Sequence, residues 1–349
     1  MKVIQIGCGL FGRWWTPNVV EFPGIELVAL VDSNERALED ANEVGGLPEE
    51  RLFTGLEDAL SAVPADVLLC VTPPSMHRAH TTAAMEAGLD VIVEKPLALT
   101  MEDAQAIVQT AEKTGRLVAV SQNYRFRHPA WTLRREVQAG AVGQIGQIRL
   151  DFYKGWYFDS SNFRKQMDDV LLLDMAVHHF DMLRFITGLE AIGVHGDSWN
   201  PPWSENAGDS SLNLTFTLNN GARFVYSASW VAQGDFADWN GNWLIDGDRG
   251  SLQLLHDEVF YREAVGHYQT KEPVPIRPSA PPLQNMAYVL ADMMAARQEG
   301  RQPAVSVADN VRSLGMALAA QEAVRTGDHL AIYPPRDARP DTRLSFRTQ

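Results

Sequence analysis

Residues 3–12 are Val-Ile-Gln-Ile-Gly-Cys-Gly-Leu-Phe-Gly, and this stretch decides the fold of the first half of the chain. The apolar run 3–6 predicts a short strand, and the residues after Gly12 are able to begin a helix. A strand, a glycine-rich turn and a helix in this order are typical of the first βα unit of a nucleotide-binding sheet. We therefore expect an α/β domain to begin here.

The three glycines of this turn each have a physical function. Gly7 permits a tight turn, Gly9 lets the backbone approach a pyrophosphate, and Gly12 lets the helix pack closely on the strand. The free N–H groups and positive dipole end of the helix then attract the phosphates. The spacing predicts a dinucleotide site that includes the two residues between the glycines, Leu10 and Phe11.

A carboxylate follows at the position where this fingerprint binds a ribose. The apolar run 26–31 predicts a second strand, and Asp32 and Ser33 follow it, about 20 residues after the last glycine. An aspartate accepts hydrogen bonds from ribose hydroxyls and repels a 2′-phosphate, which favours NAD over NADP. NADP remains the alternative because Arg36 lies close by, and a helix N-cap is the alternative role for Asp32.

The alternation of strands and helices continues to about residue 120. It predicts a doubly wound parallel sheet of the Rossmann type, with further strands at 65–71, 90–93 and 117–120 and helices at about 76–87 and 101–114.

Glu94-Lys95-Pro96 directly follows a buried-type strand, 91–93. Open α/β sheets bind ligands at the carboxyl ends of their strands, so a lysine here is a candidate site residue. Taken alone, the tripeptide is weak evidence, because a lysine at a strand end is usually a solvated cap.

Composition limits the class of protein. The 349 residues suffice for two domains, and a net charge of -14 argues against a nucleic-acid partner. The two cysteines, Cys8 and Cys70, are too few for a disulfide framework and are expected to be buried thiols. No signal-peptide pattern and no apolar run of membrane-spanning length is present, so we expect a cytoplasmic protein.

The second half has a different pattern, typical of an α+β domain with an open, mostly antiparallel sheet. Asn219-Asn220-Gly221 is a strong hairpin signal between two of its strands. We expect a dinucleotide-binding domain at 1–122, a domain for substrate and self-association at 123–333, and a polar tail at 334–349. A late helix at about 307–326 is expected to pack on the first domain.

A helix is predicted around Asp174 and His178, and it ends before Gly188. Residues four apart share a helix face, so the aspartate is able to orient the histidine as a general base. Asp181 shares that face, whereas His179 points about 100° away. These four residues are also metal-ligand types, but the orientation of His179 argues against a metal site.

Together, the glycine fingerprint, Thr72-Pro73 with His77, Glu94-Lys95-Pro96 and the Asp174-x-x-x-His178 helix resemble the Gfo/Idh/MocA oxidoreductases. The resemblance implies that Lys95, Asp174 and His178 form the catalytic set, and that NAD is the cofactor. It also implies a Lys95–Pro96 peptide that is often cis, and homodimers or homotetramers formed through the second-domain sheet. Residues 168–173 depart from the glycine run of many members, which suggests a differently shaped loop.

The site residues follow from these motifs. The cofactor is expected to contact Gly7, Gly9, Leu10, Phe11, Gly12, Asp32, Ser33, Thr72, Pro73, His77, Glu94, Lys95, Gln122 and Asn123. The substrate is expected to contact Lys95, Tyr124, Arg125, Trp156, Asp174 and His178. The alternative for Tyr124 and Arg125 is a domain hinge, and that for His77 is a helix cap. Tryptophans such as Trp156 suit a sugar, a cyclitol or a glycoside, or else belong to the core.

The predicted function is NAD(P)-dependent hydride transfer at a carbinol or ketone carbon of such a substrate. Two alternatives remain at this stage. One is a dinucleotide-binding sensor without turnover, and the other is an enzyme that keeps and recycles tightly bound NAD.

Overall fold

The computed structural model describes residues 1–159, 162–234 and 237–332, and the predicted polar tail lies outside them. The chain divides into two compact units. The first comprises Met1–Asn123 and Leu283–Leu314, and the second comprises Tyr124–Pro282 and the residues from Gly315 onward.

The first unit contains a parallel six-stranded sheet in the order β3-β2-β1-β4-β5-β6. This is the strand order of a Rossmann fold, so the predicted fold class is confirmed. The central strands β1, β4 and β5 are mostly apolar because helices cover both faces of such a sheet. The strands are β1 Lys2–Ile6, β2 Glu26–Val31, β3 Leu52–Phe53, β4 Val67–Cys70, β5 Asp90–Val93 and β6 Val118–Val120.

The helices of this unit begin and end where local signals indicate. Thr100 caps one helix by accepting from the Asp103 N–H at 3.1 Å, and Gly115 ends the same helix in the left-handed conformation. The helices are α1 Leu10–Glu21, α2 Glu35–Gly45, α3 Leu56–Ala62, α4 Pro74–Glu86 and α5 Met101–Thr114.

A late segment of the chain belongs to the first unit, which differs from the predicted continuous domain at 123–333. The Arg297 guanidinium binds the Asp66 carboxylate at 3.1 Å and also pairs with Asp90. Ser306 forms an isolated antiparallel bridge with Ala119 of β6. Sequence patterning does not show these long-range contacts, which hold 283–314 in the first unit.

The second unit contains a ten-stranded, mostly antiparallel sheet, as predicted. Its order is β14-β13-β12-β11-β7-β10-β9-β8-β16, with β15 pairing with β13, and β7 and β10 run parallel. The strands are β7 Ile145–Tyr153, β8 Ala191–Trp199, β9 Ser211–Leu218, β10 Arg223–Ser229, β11 Asn242–Gly247, β12 Gly250–Leu255, β13 Glu258–Gly266, β14 Gln269–Thr270, β15 Val274–Pro275 and β16 Leu330–Ala331.

One face of this sheet carries the core. Ile148, Leu150 and Phe152 of β7 are fully buried, and they alternate with more exposed polar neighbours. A helix packs on this face through Phe180, whose ring lies 5.0 Å from that of Phe216. The remaining helices are α6 His128–Gln138, α7 Val177–Thr187, α8 Asn285–Glu299 and α9 Val307–Thr326. The boundary between the two units lies within α9, after Leu314.

The predicted helix around Asp174 is only partly α-helical. Residues Leu171–Ala176 form a π-helical segment that continues into α7, which Gly188 ends with a φ of 70°. The wider turn changes which side chains face one another, and such segments are frequent at functional sites. Among the described residues, no helix has the length and apolar character that a membrane crossing requires.

Candidate active site

The glycine loop between β1 and α1 is shaped to hold a ligand at Gly9. A Cβ on Gly7, whose φ is +94°, would lie 2.5 Å from the Val71 carbonyl oxygen. A Cβ on Gly12 would lie 2.1 Å from the Gly7 carbonyl oxygen. Gly9, in contrast, has no atom within 4 Å of the Cβ position. Two glycines are therefore required by packing, and the third leaves room for a phosphate beside the backbone.

The first turn of α1 and Asp32 complete this loop. Gly9 is the N-cap and supplies no capping side chain, so the helix dipole faces outward. The Asp32 carboxylate accepts hydrogen bonds from the Cys8 N–H at 2.6 Å and the Asn34 N–H at 2.8 Å. Each carboxylate oxygen has capacity for a further donor, and a ribose hydroxyl supplies one. These residues fit NAD, and the exposed Leu10 and Ser33 flank them.

Lys95 lies beside the same loop. It follows β5, is half-buried, and its Nζ is 6.0 Å from the centroid of the Phe11 ring. The Lys95–Pro96 peptide bond is cis. The lysine predicted from its strand-end position is thus close to the glycine fingerprint within the first unit.

Glu94 is held by a residue that the sequence interpretation did not assign. Its Oε1 accepts a hydrogen bond from Trp15 Nε1 at 2.7 Å, and its Oε2 accepts from the Lys95 N–H at 3.1 Å. Burial raises the pKa of the Glu94 carboxyl, while the Lys95 charge and these hydrogen bonds oppose the rise. Trp15 is fully buried, and its partner lies 79 residues away in the chain, so no local pattern indicates the contact.

His77 joins two loops and has no exposed surface. Its Nε2 lies 2.9 Å from the Thr72 carbonyl oxygen, and its Nδ1 lies 3.0 Å from the Pro96 carbonyl oxygen. Burial lowers the pKa of its imidazole. These hydrogen bonds give His77 a structural role, and its predicted contact with the cofactor stays a prediction. Thr72 and Pro73 remain partly exposed at the strand end.

Gln122 and Asn123 follow β6 at the same end of the sheet. Gln122 is 1% exposed, and neither atom of its amide has a hydrogen-bond partner within the described part of the chain. Asn123 is half-buried and begins a short 3-10 turn that ends at Phe126. Their contact with a cofactor stays a prediction.

In the second unit, Asp174 forms an ion pair with Arg164. Arg164 Nε and Nη2 donate to the two carboxylate oxygens at 2.8 and 2.9 Å. The side chains are 11% and 15% exposed. Such a two-bond pair fixes the orientation of the carboxylate as well as its charge. The predicted orientation of His178 by Asp174 stays a prediction.

His178 is stacked on Tyr124. The ring centroids are 4.1 Å apart and the rings are inclined by 11°. The Arg127 guanidinium carbon lies 3.4 Å from the Tyr124 centroid, and excluded volume places it on the opposite face. Burial raises the pKa of Tyr124, and the Asp174 charge adds to the rise while Arg127 opposes it. Tyr124 thus lies close to both His178 and Asp174, and their contact with a substrate stays a prediction.

Three other candidates are engaged elsewhere. Arg125 binds Asp181 in a buried ion pair whose Nε–Oδ2 distance is 2.7 Å, and its contact with the substrate stays a prediction. His179 contacts the Tyr226 hydroxyl at 2.9 Å, and burial lowers the pKa of its imidazole to about 4. The acidic and histidine residues of this helix thus have separate side-chain partners.

An aromatic cluster follows β7. Trp156, 46% exposed, packs edge-on against Trp239 with centroids 5.0 Å apart. The Lys154 Nζ lies 5.0 Å from the same Trp239 ring. Trp203 is 54% exposed and is fixed by its indole N–H, which donates to a backbone carbonyl at 2.7 Å. Trp243 is 1% exposed and belongs to the core, the alternative that the sequence left open.

Comparisons with known proteins identify the family. Residues 1–122 match the model described as "Oxidoreductase family, NAD-binding Rossmann fold", and residues 130–253 match the GFO/IDH/MocA C-terminal domain. Protein y4oX of Sinorhizobium fredii is 30% identical, with 95% of each chain covered. D-apiose dehydrogenase of Paraburkholderia graminis is 26% identical over 93% of this chain and 88% of its own.

A solved structure shows the same fold. An oxidoreductase of Agrobacterium radiobacter, in complex with NAD+, L-tartaric acid and magnesium, superimposes with a TM-score of 0.84 at 21% identity. The match covers 95% of this chain and 98% of that one. The strand order, the glycine loop and these matches together show that the chain belongs to the Gfo/Idh/MocA family of NAD-binding oxidoreductases.

Proposed function

We propose that this oxidoreductase transfers a hydride between NAD and a carbinol or ketone carbon of a sugar, a cyclitol or a glycoside. The observation that carries the proposal is the position of Lys95, whose ammonium lies 6.0 Å from the ring of Phe11 in the glycine loop. The Lys95 ammonium at this point is able to donate a hydrogen bond to a substrate oxygen that reacts next to the cofactor. NAD, when bound, accepts or supplies the hydride.

The first unit would hold the cofactor. The N–H groups after Gly9 point toward the phosphates, and Asp32 accepts hydrogen bonds from the ribose hydroxyls. The same carboxylate would repel a 2′-phosphate, so we expect NAD to be preferred over NADP. Thr72 and Pro73 border this end of the sheet.

Three residues would carry the acid–base chemistry. Lys95 donates a hydrogen bond to the substrate oxygen and stabilises the negative charge that develops on it. His178 accepts the hydroxyl proton when an alcohol is oxidised and returns it in the reverse direction. Asp174, fixed by Arg164, sets the charge beside Tyr124 and His178. Tyr124 supports the imidazole by stacking on it.

The aromatic cluster supports a polyhydroxylated substrate. The exposed faces of Trp156 and Tyr157 suit the C–H faces of a sugar ring. The similarity to a D-apiose dehydrogenase points to the same class of substrate. We assign Trp156 to substrate binding on these grounds.

We further propose that the second unit mediates self-association into dimers or tetramers. The face of β7 opposite the core carries Arg149, Asp151 and Tyr153, which suits a polar and partly buried interface. Light scattering on the purified protein would give the mass of the assembly, and a monomer would contradict the proposed association.

Two buried cysteines that form no disulfide, Cys8 and Cys70, suit a reducing cytoplasm.

The function is tested by a screen of sugars, inositols and glycosides with NAD and with NADP, followed through the absorbance of the reduced nicotinamide. With the substrate found, Lys95→Met and His178→Asn should each lower kcat at least ~10²-fold, because each removes a group that acts in the transition state. NADH binding should persist in both variants.

Matched control variants are available on exposed positions of the same residue types. Lys113→Met on α5 and His195→Asn on β8 should keep full activity. Wild-type rates in Lys95→Met and His178→Asn would show that the catalytic assignment is wrong. Denaturing the purified protein and assaying the released NAD(H) would separate dissociable cofactor use from a tightly held, recycled cofactor.

A further inference from the structure

Two adjacent tryptophans on α1 have opposite environments. Trp14 is 56% exposed, whereas Trp15 is fully buried. The buried indole donates its N–H to Glu94 Oε1 at 2.7 Å. A tryptophan carries one hydrogen-bond donor, so burial of this ring commits that donor to a single acceptor.

The acceptor is a carboxylate within the lysine motif itself. Glu94 Oε2 accepts from the Lys95 N–H at 3.1 Å, and the Glu94 N–H donates to the Cys70 carbonyl oxygen at 2.9 Å. One side chain thus connects α1, which begins at the glycine loop, with the backbone of the proposed catalytic lysine.

The groups around this carboxylate determine its charge. The Lys95 ammonium faces it from the same loop, the Ser121 hydroxyl from the end of β6, and the Cys70 thiol from β4. Burial raises the pKa of the thiol to about 11, so it is neutral near pH 7. The indole and Lys95 therefore favour the ionised carboxylate, and burial opposes it.

We propose that Trp15 is a positioning residue that keeps Glu94 ionised and thereby holds Lys95 in its working position. The inference rests on the proposed role of Lys95. A protonated Glu94 no longer attracts the ammonium, and it presents an O–H in place of an acceptor. The enzyme should therefore lose activity toward acidic pH as Glu94 takes up its proton, and Trp15 should set where this loss occurs.

The direct test is a titration of the Glu94 carboxyl in the protein labelled with ¹³C at glutamate Cδ, followed by NMR. Glu94→Gln identifies the resonance, because that signal disappears in this variant. Trp15→Phe keeps a buried ring but removes the N–H, so the titration midpoint should rise by about one to two pH units, as expected for loss of a hydrogen bond to a charged group.

The matched control is Trp243→Phe, which removes another buried indole N–H, donated at 2.7 Å to the Asn240 carbonyl oxygen. It should leave the Glu94 midpoint unchanged. With the substrate in hand, the part of the kcat/KM profile that follows the Glu94 midpoint should move with that midpoint in Trp15→Phe, a tenfold loss for each pH unit below it. Trp243→Phe should not move it.

An unchanged Glu94 midpoint in Trp15→Phe would overturn the inference, whatever substrate the enzyme takes. If Trp15→Phe does not fold, Glu94→Gln decides, because its neutral amide stands for the protonated carboxyl: low activity at every pH would support the inference, and wild-type activity at neutral pH would overturn it. Failure of the proposed function has a different signature, which is full activity in Lys95→Met.

Discussion

Removal of the Arg164 side chain should destabilise the second unit because it leaves a carboxylate without its main partner. Arg164 and Asp174 form two hydrogen bonds of 2.8 and 2.9 Å, and their side chains are only 11% and 15% exposed. Loss of one partner from a buried pair costs about 3 kcal/mol or more, since the remaining charge stays desolvated. Arg164→Met, which keeps an unbranched apolar stem, is the suitable change.

The same structure supplies an exposed pair for comparison. Arg13 and Asp40 are 3.2 Å apart, with side chains 50% and 36% exposed. Solvent screens such a pair, so Arg13→Met should cost less than about 1 kcal/mol. The difference between the two variants separates the effect of burial from the general effect of losing an arginine.

Urea unfolding followed by tryptophan fluorescence suits this measurement, because most of the tryptophans lie in the second unit. A cycle of Arg164→Met, Asp174→Asn and the double variant isolates the coupling energy of the pair. We expect a coupling of about 2 kcal/mol or more. A coupling equal to that of the Arg13–Asp40 pair would refute the reasoning.

Three further outcomes are expected. Gly9→Ala should keep the melting temperature but weaken NADH binding at least ~10-fold. Gly12→Ala should also destabilise the first unit, because its Cβ would lie 2.1 Å from the Gly7 carbonyl oxygen. Calorimetry with NADH checks both variants. Burial lowers the pKa of His179 to about 4, so the unfolded chain binds this proton from near pH 6.5 downward while the folded protein does not. The free energy of unfolding should therefore fall by about 3 kcal/mol as the pH falls from 6.5 to 4, and His179→Phe should flatten this dependence in urea unfolding. Asp32→Ser should lower the kcat/KM ratio of NAD to NADP at least ~10-fold, because the charge that repels a 2′-phosphate is removed; an unchanged ratio would contradict the ribose assignment.

Local sequence signals were sufficient for the elements that surround the cofactor loop. A side chain at Gly7 or Gly12 would collide with the backbone, and Gly9 leaves room for a phosphate, so the spacing of the three glycines is a strong signal. The hairpin at 219–221 is predictable for a similar reason, since Gly221 has a φ of 87°. The short strand β3 and the strands after residue 257 lack such markers, and the sequence analysis did not predict them.

The side-chain partners of the site were less predictable. Lys95 could be placed because a strand end fixes its position, but Arg164 lies in a short 3-10 helix, Phe163–Gln166, and binds Asp174 ten residues further on. The π-helical segment alters the spacing on which the Asp174–His178 argument relied. Contacts such as that of Trp15 with Glu94 depend on the tertiary fold, which periodicity does not encode.

The return of Leu283–Leu314 to the first unit has a consequence for how the protein is made. About 160 residues are synthesised between Asn123 and this segment, which takes roughly 10 to 30 s on a ribosome. Until then Asp66 and Asp90 lack their ion-pair partner Arg297. The edge of β6 that Ser306 bridges at Ala119 is also without this partner. The nascent nucleotide-binding half therefore lacks these contacts until Leu314 has been synthesised, and we expect a fragment cut after residue 122 to be less stable than the complete first unit.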